Sequence, residues 1–167
     1  MNIILIGFMG VGKSEVGRAL AARLNLNFID TDAVIEKSEG RSISSIFEKE
    51  GEPRFRDIET EVVRTLEDYD GFVISTGGGM VLKDENVKML KAIGPLVLLN
   101  SRPDVIHDRL QDNDDRPLLK RGDKLENITG LLAKREPFYA GAADFTVDTS
   151  DITPQEAAEE IIKWLKK

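Results

Sequence analysis

Four apolar residues, Ile3-Ile4-Leu5-Ile6, run straight into Gly7-Phe8-Met9-Gly10-Val11-Gly12-Lys13-Ser14, and a helical pattern follows at once. An unbroken apolar run bounded by glycine suits a strand covered on both faces, as in a parallel sheet. Beyond it, Val16, Leu20 and Leu24 recur at helical spacing among Arg18, Ala19, Ala21, Ala22 and Arg23. The stretch between strand and helix matches G-x-x-x-x-G-K-[ST] in the context that gives this pattern its meaning. Its glycines permit backbone conformations that aim successive N–H groups inward, and the following helix adds the positive end of its dipole. The result is a cradle for phosphate oxygens. Gly10, Val11, Gly12, Lys13, Ser14 and Glu15 are therefore assigned to nucleotide binding, with Lys13 reaching the β- and γ-phosphates and the Ser14 hydroxyl facing Mg²⁺.

The rest of the chain repeats this alternation. Further strands are expected at 27–29, 72–75, 96–99 and 145–147, and helices at 58–66, 86–92, 105–110, 125–139 and 154–165. The last helix opens with Thr153, Pro154 and Glu156, an N-cap, first-turn proline and capping-box partner in their usual places. Alternating strands and helices imply a single α/β domain over 1–167, three layers α/β/α, with a mostly parallel central sheet. Such sheets bind ligands beyond the carboxyl ends of their strands, so the functional loops should follow Ile6, Ile29, Ser75 and Asn100. The polar segment 111–122, QDNDDRPLLKRG, reads as a lid rather than an idle connection.

Composition narrows the function. The chain has 167 residues, a formal net charge of −7 and no cysteine, which removes disulfide, thiolate-metal and thiol chemistry. So acidic a chain is a poor nonspecific nucleic-acid binder, and no apolar run approaches the roughly 20 residues that cross a bilayer. The segment before Gly7 has neither the basic flank nor the small-residue cleavage site of a targeting peptide. A cytoplasmic protein, binding neither nucleic acid nor membrane and working as a monomer, is the expectation.

Two further stretches sit at predicted ligand-edge positions. Asp30-Thr31-Asp32 follows the second strand, where one carboxylate can face Mg²⁺ waters and the other an attacking hydroxyl. Capping of the helix begun by Ala33-Val34-Ile35-Glu36 is the competing use of an aspartate here, and both uses can hold together. Gly77-Gly78-Gly79 follows the strand at 72–75 and lets a ligand come close to backbone N–H groups. Glu59 and Glu61 read as partners for arginines, and Trp164 as packing for the final helix.

Taken in order, GFMGVGKS from Gly7, DTD from Asp30, GRSISSIF from Gly40, GEPRFRDIE from Gly51, GGG from Gly77, RPLL from Arg116 and AKREPFY from Ala133 resemble the shikimate kinase family along most of the chain. The resemblance implies transfer of the γ-phosphoryl of ATP to the 3-hydroxyl of shikimate, giving shikimate 3-phosphate and ADP, a step of aromatic amino-acid biosynthesis. It assigns Arg56 and Arg135 to the substrate carboxylate, Asp32 to the ring hydroxyls as base or orienter, and Gly78 and Gly79 to the ring. Asp30 falls beside Mg²⁺, Arg109 beside adenine, and Arg116 over the phosphates as a lid arginine acting in cis. With Lys13, Asp32 and Arg116 complete the implied catalytic set, around a substrate region at about 31–60. The strand before Gly77 ends Val73-Ile74-Ser75-Thr76 without an aspartate, which leaves the metal to Ser14 and Asp30. The loop 148–153 carries no basic residue, so adenine is expected to rest on backbone and stacking.

A kinase for another small polyol acid, such as gluconate, is the nearest alternative. A non-catalytic nucleotide-binding module is the alternative from another class, and the intact Lys13, Ser14, Asp32, Arg56, Arg116 and Arg135 speak against it. The chain lacks the N-K-x-D pattern that reads guanine, which favours adenine.

Overall fold

A computed structural model describes residues 1–111 and 124–167. The apolar run is β1 (Ile3–Ile6), every residue of it buried, at the centre of a five-stranded sheet. Its neighbours are β3 (Phe72–Ser75) and β4 (Leu96–Asn100), while β2 (Asn27–Asp30) and β5 (Phe145–Asp148) form the edges. All four pairings are parallel. The order follows composition: IILI is apolar throughout and central, whereas NFID and FTVD mix polar residues in and lie at the rims.

Each predicted strand is present, three of them one residue longer at the carboxyl end. α1 (Lys13–Leu24) and α7 (Pro154–Leu165) pack together on one side of the sheet. The other layer holds α2 (Thr31–Glu39), α3 (Ile43–Thr65), α4 (Asp84–Ile93), α5 (Pro103–Leu110) and α6 (Lys124–Ala142). This division follows from the connections. The chain leaves β1 toward one edge and, from β2 onward, moves steadily toward the other, and right-handed crossovers then put the helices on opposite faces. The reversal lies at β1 and β3, which are adjacent, so their carboxyl-end loops flank one crevice.

The predicted helix at 58–66 is only the end of α3, which begins at Ile43. Gly51 and Pro53 read as breakers, and a break does occur: Gly51 leaves helical geometry at φ 80° and ψ 171°. The chain then re-enters the helix with Pro53 in its first turn, where a missing N–H costs nothing. α7 carries the expected capping box, Thr153 and Glu156 exchanging side-chain and backbone bonds at 3.1 Å each way. Trp164 stacks on Phe145 with ring centroids 5.0 Å apart, as packing.

The main core joins the sheet to α1, α7 and the layer opposite. A smaller core of Ile35, Ile46, Phe55, Ile58 and Val62 lies between α2 and α3. None of the described helices is long and apolar enough to cross a membrane. The predicted lid at 111–122, apart from its first residue, lies outside the described residues, and Arg116 with it.

Candidate active site

The crevice between the β1 and β3 loops opens into a cavity of about 470 Å³. Its floor is the phosphate-loop motif. Gly10 and Gly12 take φ values of 81° and 95°, the left-handed region that side chains avoid. Val11 is buried, so it offers the cavity backbone rather than side chain. Lys13 opens α1 and donates from Nζ to the carbonyls of Gly7 at 2.6 Å and Phe8 at 2.9 Å, its ammonium arching over the loop. Ser14 and the exposed Glu15 line the same cavity.

Three successive residues after β2 are sent three ways. Asp30 caps α2, its Oδ1 accepting from the Asp32 N–H at 2.9 Å, while its Oδ2 accepts from the Ser14 hydroxyl at 3.1 Å. Thr31 is buried and its Oγ1 accepts from the Gly77 N–H at 3.1 Å, tying this turn to the triglycine. Asp32 faces the cavity. The cap and the bond to Ser14 thus both belong to Asp30, which leaves the Asp32 carboxylate at the cavity. Hydroxyl and carboxylate are hard oxygen donors beside the phosphate cradle, a set that fits Mg²⁺, an ion held by few protein oxygens along with phosphates and water. Among the described residues no cluster of three or more His, Cys, Asp or Glu could hold a metal alone.

Around the triglycine the charged groups close in. A Cβ on Gly77 would stand 2.8 Å from both Asp32 Oδ1 and Glu59 Oε2, and one on Gly78 would stand 3.2 Å from Arg135 Nη1. On Gly79 it would collide with the Arg56 guanidinium. Glycine is needed here because two carboxylates and two guanidinium groups share the space a side chain would take. Arg56 is anchored by Glu59 at 2.7 Å and by Glu52 at 3.1 and 3.2 Å. Arg135 is 3% exposed, lies over the Phe8 ring at 5.6 Å, and has Nε and Nη1 unbonded among the described residues. A buried cation with idle donors is costly unless an anion completes it. An anion entering the cavity would complete these donors.

Glu59 is 1% exposed, and burial pushes its carboxyl up to about 7 against the pull of Arg56. Asp32 raises it further, and Arg135 opposes that. Tyr139, one turn beyond Arg135 on α6, donates from its hydroxyl to the Gly78 carbonyl at 2.6 Å. Glu59 is the arginine partner expected of it, paired with Arg56, and Glu61 likewise pairs with Arg54 at 3.5 Å. Thr31, Ser101, Tyr139 and Thr149, to which no sequence pattern assigns a role, also bond within this region. Their one sequence signal was position, next to a motif or at a strand end.

Arg109 stands at the far side of the phosphate loop. Nη1 donates to the Gly10 carbonyl at 3.2 Å and Nη2 to the Thr149 carbonyl at 2.8 Å, bridging the loops after β1 and β5. The structure therefore brings together all the expected site residues except Arg116. In the loop 148–153, Asp151 is held by Arg102 through two bonds of 2.7 and 3.2 Å.

The family model for shikimate kinase matches residues 9–166. The shikimate kinase of Pelotomaculum thermopropionicum is 51% identical over 166 residues, covering 99% of this chain and 96% of that protein. That of Thermodesulfovibrio yellowstonii is 50% identical over 162 residues, covering 97% and 93%. Among solved structures, the shikimate kinase from Acinetobacter baumannii in complex with shikimate superposes with a TM-score of 0.95 at 36% identity, covering 99% of this chain and 92% of that one.

Proposed function

This chain belongs to the shikimate kinase family, and from that premise we propose how its own residues perform the reaction. It transfers the γ-phosphoryl of ATP to the 3-hydroxyl of shikimate, releasing shikimate 3-phosphate and ADP. The observation that carries the residue assignment is Arg135, a buried guanidinium with two idle donors at the triglycine. A substrate carboxylate completes it, and Arg56, already oriented by Glu59 and Glu52, gives a second guanidinium nearby.

With the carboxylate held there, the ring lies along Gly78 and Gly79 and its hydroxyl meets Asp32. Asp32 orients that hydroxyl and takes its proton as the oxygen bonds to the γ-phosphorus. The bond from the γ-phosphorus to the bridging oxygen breaks, and ADP carries that electron pair away. The backbone N–H groups of Gly10, Val11 and Gly12, with Lys13, hold the phosphates in line. Ser14 and Asp30 would hold Mg²⁺, which when bound supplies charge neutralisation of the β- and γ-phosphates. Arg116, assigned by motif alone, adds positive charge over the transferred group. A monomer working in the cytoplasm completes this reading.

The test is ADP release from Mg·ATP with shikimate, with gluconate and quinate alongside, in the native protein and in Arg135→Ala. Stimulation by shikimate alone is expected. The variant should raise the KM for shikimate about tenfold or more, since a charge-assisted pair contributes about 1.5–3 kcal/mol, and leave the KM for ATP near its native value. Equal stimulation by gluconate would reassign the acceptor, and an unchanged shikimate KM would remove Arg135 from the pocket.

A further inference from the structure

Thr149 has no part in the scheme above, yet it is 3% exposed and makes more polar contacts than a loop threonine needs. Its hydroxyl lies 2.7 Å from the Val11 carbonyl in the phosphate loop and 2.6 Å from the Ser101 hydroxyl, with the Asn100 carbonyl at 3.2 Å. Ser101 is also buried, and Arg109 Nη1 donates to it at 3.2 Å. The same nitrogen stands 3.4 Å from Thr149 Oγ1.

Hydrogen counting sets the direction of this chain. Arg109 can only donate, and the Val11 carbonyl can only accept. Each hydroxyl has one proton, so the arginine donates to Ser101, Ser101 to Thr149, and Thr149 to Val11. A fixed cation polarises the chain from one end, which strengthens the bond at the other. That last bond matters because the Val11–Gly12 peptide unit is planar and trans: holding its C=O on the Thr149 side turns the Gly12 N–H the opposite way. The Gly10 carbonyl, held by Arg109, orients the Val11 N–H by the same logic. These are two of the amides assigned to the phosphates. Phe8 and Gly7 have their carbonyls held by Lys13, but Val11 has its carbonyl held from across the sheet.

We propose that Thr149 is a positioning residue for phosphoryl transfer, its hydroxyl aiming the Gly12 N–H into the phosphate cradle through the Val11 carbonyl. The proposal rests on the reading of 7–14 as the phosphate site. It differs from a contact with adenine, because Thr149 acts on the peptide that meets phosphate. Val11 thus receives a bond from the loop after β5, and the order of β1, β4 and β5 in the sheet brings that loop within reach.

The experiment measures binding of Mg·ADP and of inorganic tripolyphosphate by calorimetry, alongside the KM for ATP and for shikimate. It uses the native protein, Thr149→Val, Thr149→Ser and Ser101→Ala. Valine keeps the shape and leaves the Val11 carbonyl unpaired, so affinity for both Mg·ADP and tripolyphosphate should fall about tenfold, with shikimate KM within about twofold of native. Serine should restore both. Native affinity for both ligands in the valine variant overturns the proposal, as does weakened Mg·ADP with unchanged tripolyphosphate, which would put Thr149 at the nucleoside end. Should the valine variant fail to melt cooperatively, Ser101→Ala decides: it removes the polarising link, and about threefold weaker tripolyphosphate is expected from loss of part of one bond. Unchanged tripolyphosphate binding there overturns the proposal. Native protein that binds Mg·ADP but is not stimulated by shikimate would sink the assigned reaction and leave this inference standing.

Discussion

Glu59 is a buried carboxyl whose chemistry departs far from its ordinary behaviour. Arg56 on its own helix, Asp32 at the start of α2 and Arg135 from α6 all face it, with Tyr139 close by. Burial dominates and lifts its carboxyl from 4.5 to about 7. Between those values the folded protein keeps a proton that the unfolded chain has lost. Stability from this group is therefore full below pH 4.5 and lost as pH rises through about 7. Glu59→Gln should remove that slope while leaving Arg56 an oxygen to donate to. Denaturant unfolding across this range should show native stability falling relative to the variant by on the order of 3 kcal/mol as pH rises. Parallel curves would show that Glu59 titrates normally. From sequence, Glu59 could be read as an arginine's partner because a helix puts residues three apart on one face, and Arg56 is three before it. Its pKa could not be read, because desolvation depends on what α6 and the triglycine place against it.

The triglycine shows how one element borrows its shape from others. Gly77 is held by Thr31 through its N–H, and Gly78 by Tyr139 through its carbonyl. Arg135 and Tyr139 are four residues apart on α6, so one helical face brings both a guanidinium and a hydroxyl to the same turn. Tyr139→Phe should take the donor from the part-buried Gly78 carbonyl, costing about 0.5–1.5 kcal/mol of stability. It should also raise the KM for shikimate while sparing that for ATP, a split that steady-state kinetics would resolve. An equal rise in both would mean a general loosening of the fold. Element types were legible because β1 is an unbroken apolar run, α1 repeats apolar residues at helical spacing and α7 opens with a capping box. α3 was only partly legible: Gly51 and Pro53 signal an end, yet helix continues on both sides of the break, where Ile46 and Phe55 pack with Ile35 of α2.

Two cores divide the work of the whole fold. The larger fixes the sheet and the phosphate loop, and the smaller holds α2 and α3, which carry Asp32, Arg56 and Glu59. Phe55 is 5% exposed in the smaller core, and Phe55→Ala should cost about 3–5 kcal/mol. Because Val63 and Leu66 belong to the larger core, that loss should be felt locally. Hydrogen exchange should show protection lost over α2 and the first part of α3, with the sheet and Mg·ADP binding retained. Uniform loss across the sheet would make the molecule one cooperative unit. The sequence by itself determined the phosphate loop, the alternation of strands and helices and the buried central strand. Each of these rests on local spacing or on dihedral needs that a short stretch of chain carries within itself. Only the tertiary structure decided the strand order, the idle donors of Arg135, the elevated carboxyl of Glu59 and the bond from Thr149 to Val11. Those depend on which distant groups are brought together and what water they exclude, and neither the distance nor the desolvation is written in neighbouring residues.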